Sequence, residues 1–373
     1  MRMPLFRGMK RWGVLLSTLV LSSLLLAACG ESSPSILNPA GPVANKESGL
    51  FWFILVVATI IFVLVEGWLI FSIVRYRERP NEPMPRQVHG NNTLELAWTI
   101  APSIFLFAVL IGTIYTMFNL SSFPGVTRTV NVRAVGHQWW WEFNYLDTNP
   151  NVVTADELYI PVGTKIHVEL LSNNVIHSFW VPQLTGKTDV VPGHNNTKDF
   201  VGDTVGVYRG LCTEYCGLQH AHMDFYVHVV SQDTYMTWLS GQEQAAAKTP
   251  TGANALAGQK LFLGAGTCQG CHGIVGVNLK SFNDPLANVL VGPNLTHFGS
   301  RRTIAGGILT WDPATCVVVT GSNGQPTIQN ESQCGLYQWL HDPQGVKPGN
   351  DMKIPQLTDT QIAELVAYLE SLT

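Results

Sequence analysis

Charge is what this sequence has least of: Asp, Glu, Lys and Arg make up only 13% of 373 residues, with a net charge of -4 when histidine is neutral. With no basic balance to oppose a phosphate backbone, nucleic acid is excluded as a partner, and the acidic excess is too small to name another. Histidine is missing from both long apolar runs, residues 50–74 and 96–120, so no metal held by imidazoles within a membrane belongs to this chain. Cysteine is sparse: Cys29 stands alone, and the rest fall into the pairs Cys212/Cys216, Cys268/Cys271 and Cys316/Cys334. What is abundant is apolar surface, at 46% of residues, on a chain long enough for two or three domains.

The first residues combine Arg2, Arg7, Lys10 and Arg11 with an apolar run from Trp12 to Ala28, the order of an export signal over residues 1–28. Its end, Leu26-Ala-Ala-Cys29-Gly30, resembles a bacterial lipobox, which implies cleavage before Cys29 and lipid on its sulfur; the other reading is an ordinary signal with a chance cysteine. Residues 29–49 then form an extracytoplasmic segment. Each apolar run has about 25 residues, enough to cross a ~30 Å hydrocarbon core at about 1.5 Å per residue. A transmembrane hairpin over residues 50–120 follows, and Arg75, Arg77, Arg79 and Arg86 in its connection keep that loop cytoplasmic. Everything after Ser121 is expected on the extracytoplasmic side. Glu66 interrupts the first span and should face protein rather than lipid.

The densest chemistry lies in Cys212-Thr-Glu-Tyr-Cys-Gly-Leu-Gln-His-Ala-His-Met223. Two thiols, an imidazole and a thioether in one short loop are soft and borderline ligands, which suit copper better than magnesium or calcium. His177, in an alternating stretch that reads as strands of a small β-sandwich, offers a second imidazole, and His222 competes with His220. Two cysteines alone would equally make a disulfide in an oxidising compartment; the added donors favour metal. Residues 241–256, rich in Gln, Ala, Thr and Gly, read as a linker before a domain over 257–373.

In that last domain Cys268-Gln-Gly-Cys271-His272 is the C-x-x-C-H signature of covalent haem c, with His272 as proximal iron ligand. Met352, the only methionine after Met236, is the sixth-ligand candidate; His297 and His341 would instead give a bis-histidine haem of lower potential. Thr358 to Leu372 reads as an amphipathic helix. Cys316 and Cys334 bracket a Gly, Asn and Ser-rich stretch and are left to pair as a disulfide, worth roughly 3 kcal/mol by loop entropy.

The pattern C-x-E-x-C-x-x-x-H-x-x-M, preceded by His177-Ser-Phe-Trp-Val-Pro and Gly186-Lys-Thr-Asp-Val-Val-Pro-Gly193, closely resembles subunit II of the haem-copper cytochrome c oxidases. The resemblance implies a multi-domain chain: the two-helix hairpin, a cupredoxin-like all-β sandwich over residues 121–240, and an all-α class I cytochrome c domain. It implies a dinuclear copper A bridged by Cys212 and Cys216, with His177 and His220 as terminal ligands and Met223 and the Glu214 carbonyl as weak axial ones. The Glu214 carboxylate would reach a magnesium ion shared with subunit I. Glu95, in a match to E-x-x-W-T-I-x-P, would lie near a proton entrance, although a helix-start carboxylate needs no such role. Gly136-His-Gln-Trp-Trp-Trp141 is similar to G-H-Q-W-x-W, which makes Trp139 the residue that receives electrons. Gly292-Pro-Asn-Leu-Thr-His-Phe-Gly-Ser-Arg301 resembles cytochrome domains fused to some of these subunits and favours Met352.

The expectation is therefore subunit II of an oxidase of the caa class in a bacterial plasma membrane. Electrons would pass from haem c to copper A and on to haem a of subunit I, where oxygen is reduced with proton pumping. Subunits I and III are the implied partners, and the donor is a small carrier such as a cytochrome c, or a quinol-oxidising complex. A tethered cytochrome would sit at ~mM effective concentration near copper A. The rivals are a nitrous oxide reductase, a quinol oxidase subunit, and a membrane-tethered copper-handling protein with no redox throughput.

Overall fold

The computed structural model describes residues 34–78, 84, 87, 90–264 and 268–373. The export signal, Cys29, Arg79 and Arg86 lie outside the described residues.

Two long helices come first. α1 (Pro42–Arg75) has proline in its first turn, where the missing N–H costs nothing. It begins eight residues before the expected start at 50, because Val43 and Ala44 are fully buried and anchor its first turn. Residues 42–49, within the segment read over 29–49, are helical and continuous with the first apolar run. α2 (Asn92–Asn119) starts at Asn91, whose side chain accepts from the Thr93 and Leu94 amides. Lys46 Nζ donates to the carbonyls of Asn119 (2.6 Å) and Ser122 (3.0 Å), tying the start of one helix to the end of the other. Both helices are long and apolar enough to cross a membrane.

The sandwich has ten strands: β1 (Thr129–His137), β2 (Trp140–Tyr145), β3 (Val152–Ala155), β4 (Glu157–Pro161), β5 (Lys165–Ser172), β6 (His177–Val181), β7 (Thr185–Val190), β8 (Asn196–Val201), β9 (Gly206–Cys212) and β10 (Asp224–Val230). They form two five-stranded sheets, ordered β3-β2-β1-β5-β8 and β4-β10-β9-β6-β7. Period-two alternation turns Ile166, Val168 and Leu170 inward from β5 and Val132 and Ala134 inward from β1. Between the sheets Trp141, Phe179 and Phe225 meet at centroid distances of 5.4–5.8 Å for the tryptophan and 4.8 Å for the phenylalanine pair. This aromatic floor lies beneath the loop from β9 to β10, and the Phe179–Cys212 register brings the start of β6 beside it.

The C-terminal part is mostly helical: α3 (Gln232–Gln242), α4 (Ala253–Leu263), α5 (Gly335–His341), α6 (Pro343–Val346) and α7 (Asp359–Glu370). α4 lies so close on α7 that a Cβ on Gly258 would meet the Glu364 carbonyl oxygen at 2.0 Å. A capping box at Thr358 and Gln361 starts α7. Two short ribbons, β11 (Thr303–Ile304) with β12 (Leu309–Thr310) and β13 (Val318–Thr320) with β14 (Pro326–Ile328), depart from an all-α reading. The second lies between Cys316 and Cys334, which form a disulfide.

The segment read as a linker over 241–256 is shorter than that. α3 runs through Gln242 and α4 begins at Ala253, after Gly252 at φ +95°. Ala246 between them is buried and donates its amide to the Val275 carbonyl (3.0 Å), so the connection is packed rather than free coil.

Candidate metal centre and haem cavity

The loop between β9 and β10 gathers donors that only His177 joins from elsewhere. Cys212 and Cys216 lie with their Sγ atoms 3.8 Å apart. His177 Nδ1 is 3.8 Å from the Cys212 sulfur, and His220 Nδ1 is 3.6 Å from that of Cys216. Met223 Sδ lies 3.8 Å from Cys216 Sγ, and the Glu214 carbonyl oxygen 3.4 Å from Cys212 Sγ. All six residues singled out in the sequence therefore surround one point. His222 turns away, with Nδ1 2.8 Å from Gln219 Oε1.

Two glycines permit this geometry. A Cβ on Gly136 would meet the His177 ring at 2.7 Å, and Gly217 takes φ +113° just after Cys216. Asn174 fixes the other ring nitrogen: its Oδ1 accepts from His177 Nε2 at 3.0 Å, leaving the Nδ1 lone pair directed at the thiols. The hydrogen bond with Cys216 lowers the Cys212 thiol below its ordinary value, against the opposing effect of burial. Cys216 is pushed up by that same bond and by burial. Metal binding at such a site requires the thiols to give up their protons. Soft sulfurs, two imidazoles and a dry aromatic wall fit a pair of copper ions. Asn174→Ala should weaken metal affinity by about 10- to 100-fold, read by chelator competition on the full chain. Unchanged affinity would remove Asn174 from the site.

A second cavity lies in the C-terminal domain and is lined by Cys268, Cys271, His272, Met352 and apolar side chains including Leu295, Phe298 and Leu365. His272 Nδ1 donates to the Pro293 carbonyl at 2.8 Å, which leaves Nε2 as the ligating nitrogen. Gly292 must be small, since a Cβ there would meet the His272 ring at 2.5 Å. Neither His297 nor His341 lines this cavity. His297 instead has Nε2 3.1 and 3.0 Å from the Gln242 and Gln244 carbonyls and packs near Phe282. Burial lowers the pKa of both His272 and His297. Two cysteines outside any disulfide, one oriented histidine and one thioether around an apolar cavity fit a covalently held haem.

Trp139 belongs to both sites. Its indole N–H donates to the Cys216 carbonyl at 2.9 Å, alongside Gln138 Nε2 at 2.7 Å, and the residue also lines the C-terminal cavity. Glu95 sits exposed in the first turn of α2.

Sequence reasoning passed over Asn174, Gln138 and the charged residues between the domains. Asp156 takes the Trp141 and Gly306 amides on its two oxygens (2.8 and 3.2 Å), and Glu157 takes the Arg302 amide and the Thr303 hydroxyl (2.5 and 2.9 Å). Burial raises Asp156 to about 6 and lowers Lys347 to about 8. A polar residue three before a strand-start histidine hints at Asn174; the others carry no local signal.

The sequence profile of the cytochrome c oxidase subunit II transmembrane domain matches residues 35–114, and that of its periplasmic domain matches residues 150–230. A cytochrome c oxidase subunit 2 from Alkalihalophilus pseudofirmus is 34% identical over 98% of this chain and 99% of its own length. One from a Bacillus species, strain PS3, is 32% identical over 98% and 99%. A quinol oxidase subunit 2 from Bacillus spizizenii is 29% identical, but over 65% of this chain and 76% of its own. The first two similarities take in the C-terminal domain as well as the sandwich. The resemblance read from the motifs is thereby borne out: this is a membrane-anchored protein with a periplasmic domain, working beside subunit I as part of a haem-copper oxidase. The chain belongs to the cytochrome c oxidase subunit II family.

Proposed function

We propose that this subunit carries two electron centres of its own. Dinuclear copper A would be held by His177, Cys212, Cys216 and His220, with Met223 and the Glu214 carbonyl as axial donors. Haem c would be bonded to Cys268 and Cys271 and ligated by His272 and Met352. When loaded, these groups supply one-electron transfer, from haem c to copper A and then to haem a of subunit I, where oxygen is reduced with proton pumping. The observation that supports this order most directly is Trp139, which touches the Cys216 carbonyl and walls the haem cavity at once.

The protein's own part is to hold charge changes without moving atoms. Cys212 and Cys216 would hold the metals through soft sulfur, Met223 and the aromatic floor would tune the potential, and the apolar wall would limit the response of solvent to a change of charge. A Met/His haem has the raised potential that an electron acceptor needs. The Glu214 carboxylate would take a magnesium ion at the boundary with subunit I, and Glu95, in the first turn of α2, would lie near a proton entrance. The reading also comprises a two-pass topology with both soluble domains outside the bilayer, the domain division 121–240 and 257–373, subunit III as a further neighbour, and a small carrier or a quinol-oxidising complex as donor.

The test is a metal and haem count with electron paramagnetic resonance on the purified full chain, matured in a host that attaches haem c. Two coppers and one haem per chain, with one electron's hyperfine coupling shared by both copper nuclei, are expected. A single labile copper with a mononuclear spectrum would overturn the assignment in favour of a copper-handling protein. No copper at all would favour the quinol oxidase type.

A further inference from the structure

A cytochrome joined through a short connection has two ways to reach its acceptor: collide repeatedly on a tether, or sit permanently in place. The contact between the sandwich and the C-terminal domain distinguishes them. Lys347 lies between α6 and the loop bearing Met352, and it is 3% exposed. Its ammonium donates to three carbonyls at once: Trp139 at 2.6 Å, His222 at 2.8 Å and Ala305 at 2.7 Å. The first two belong to the sandwich, one on the relay tryptophan and the other beside the copper loop's Met223. The third belongs to the cytochrome domain.

The surroundings are built to receive it. Ala305, Gly306 and Gly307 all take left-handed φ, at +57°, +70° and +82°, a backbone state that Ala305 adopts only at a cost. A Cβ on Gly306 would meet Lys347 Nζ at 2.7 Å, the Trp139 carbonyl at 2.9 Å and that of His222 at 3.0 Å. The same turn donates the Gly306 amide to Asp156 and accepts the Asp224 amide on the Gly306 carbonyl at 2.9 Å. Glu157 reaches across to Arg302 and Thr303, while Gln219, inside the copper loop, donates to the Pro348 carbonyl at 2.7 Å. Each domain thus sends buried charge into the other's backbone, and a buried ammonium stripped of any of its acceptors is strongly unfavourable.

We propose that Lys347 is the pin of a permanent joint, a positioning residue that locks the cytochrome domain onto the sandwich in the one register where Trp139 faces both centres. The segment 243–252 then serves to deliver the domain during assembly, not to search for contact. In the closed joint the Trp139 face is covered, so an outside carrier delivers its electron to the cytochrome domain and does not reach this tryptophan directly. For its rate measurement the proposal rests on the copper A and haem c assignment above; for its structural measurement it does not.

The test uses the purified oxidase and two changes. The first inserts Gly-Ser repeats between Thr251 and Gly252, at exposed backbone, leaving the joint intact. A pinned domain keeps its haem c to copper A transfer rate whatever the insert length. A tethered one slows as the insert grows, roughly with the -3/2 power of linker length. The second is Lys347→Met, with Lys347→Arg beside it, followed by transfer rate and by amide hydrogen exchange at residues 303–307 and 219–223. Exchange is expected to quicken at both segments in Lys347→Met, and transfer to slow by on the order of 10- to 100-fold through lost positioning. A long insertion should add to the loss in Lys347→Met while doing nothing in the parent. A rate that falls with insert length in the parent, or unchanged exchange in Lys347→Met, overturns the proposal. If Lys347→Met fails to assemble, the insertion series alone decides it. Loss of copper or haem from the parent would instead count against the centres, which the metal count tests separately.

Discussion

Replacing Cys216 with serine is expected to collapse the dinuclear centre, lowering copper from two ions per chain to one or none. The reason is geometric. Cys216 lies within reach of Cys212, His220 and Met223 together, at 3.8, 3.6 and 3.8 Å. A hydroxyl is a hard, weakly acidic donor that does not bridge two soft cations. Any copper retained beside His177 and Cys212 should give a spectrum from one nucleus, because nothing remains to share the electron. Haem content should be unaffected, and oxidation of an externally supplied electron donor by the whole oxidase should fall to background. Paramagnetic resonance, copper analysis and oxygen uptake on the same preparation read all three. A variant that kept two coppers and a shared spectrum would mean that the bridging thiolates have been misassigned.

Replacing Met352 with alanine is expected to leave haem attached while shifting its potential downward by a sizeable part of the ~0.8 V range that axial ligands command. In the proposed site, covalent attachment would depend on Cys268 and Cys271, and His272 is still oriented by the Pro293 carbonyl, so the haem should stay in the cavity with four protein-side bonds reduced to those three anchors. What goes is the thioether that favours the reduced iron. Electron flow should then stall between donor and copper A, although the copper spectrum is unchanged. A redox titration of the haem checks the shift. An unmoved potential would assign the sixth position to another residue, and His297 is poorly placed for it because its Nε2 already faces two backbone carbonyls.

Much of this was legible because the donors are close in sequence. Five of the copper candidates fall in one short loop, and the two thiols and histidine of the haem motif in another, where spacing alone constrains geometry. The alternating burial of β5 and β10 follows from period-two patterning in the same local way. Helix starts were less legible: α1 begins early because Val43 and Ala44 find a buried place, which no local pattern announces. The charged joint was not legible at all. Lys347, Asp156 and Glu157 are ordinary surface residue types whose partners lie 42 to 208 positions away, and only the folded chain brings them to those backbone atoms.

The packing of α4 on α7 has a consequence for timing. These two helices bracket the whole C-terminal domain in sequence, and the contact at Gly258 and Glu364 cannot form until both are present. Long-range closure of this kind is slow compared with local turns. For the haem c proposed above, the interval before closure would be the time in which the Cys268–His272 loop is open to attachment. The domain's topology would thereby put cofactor attachment before closure.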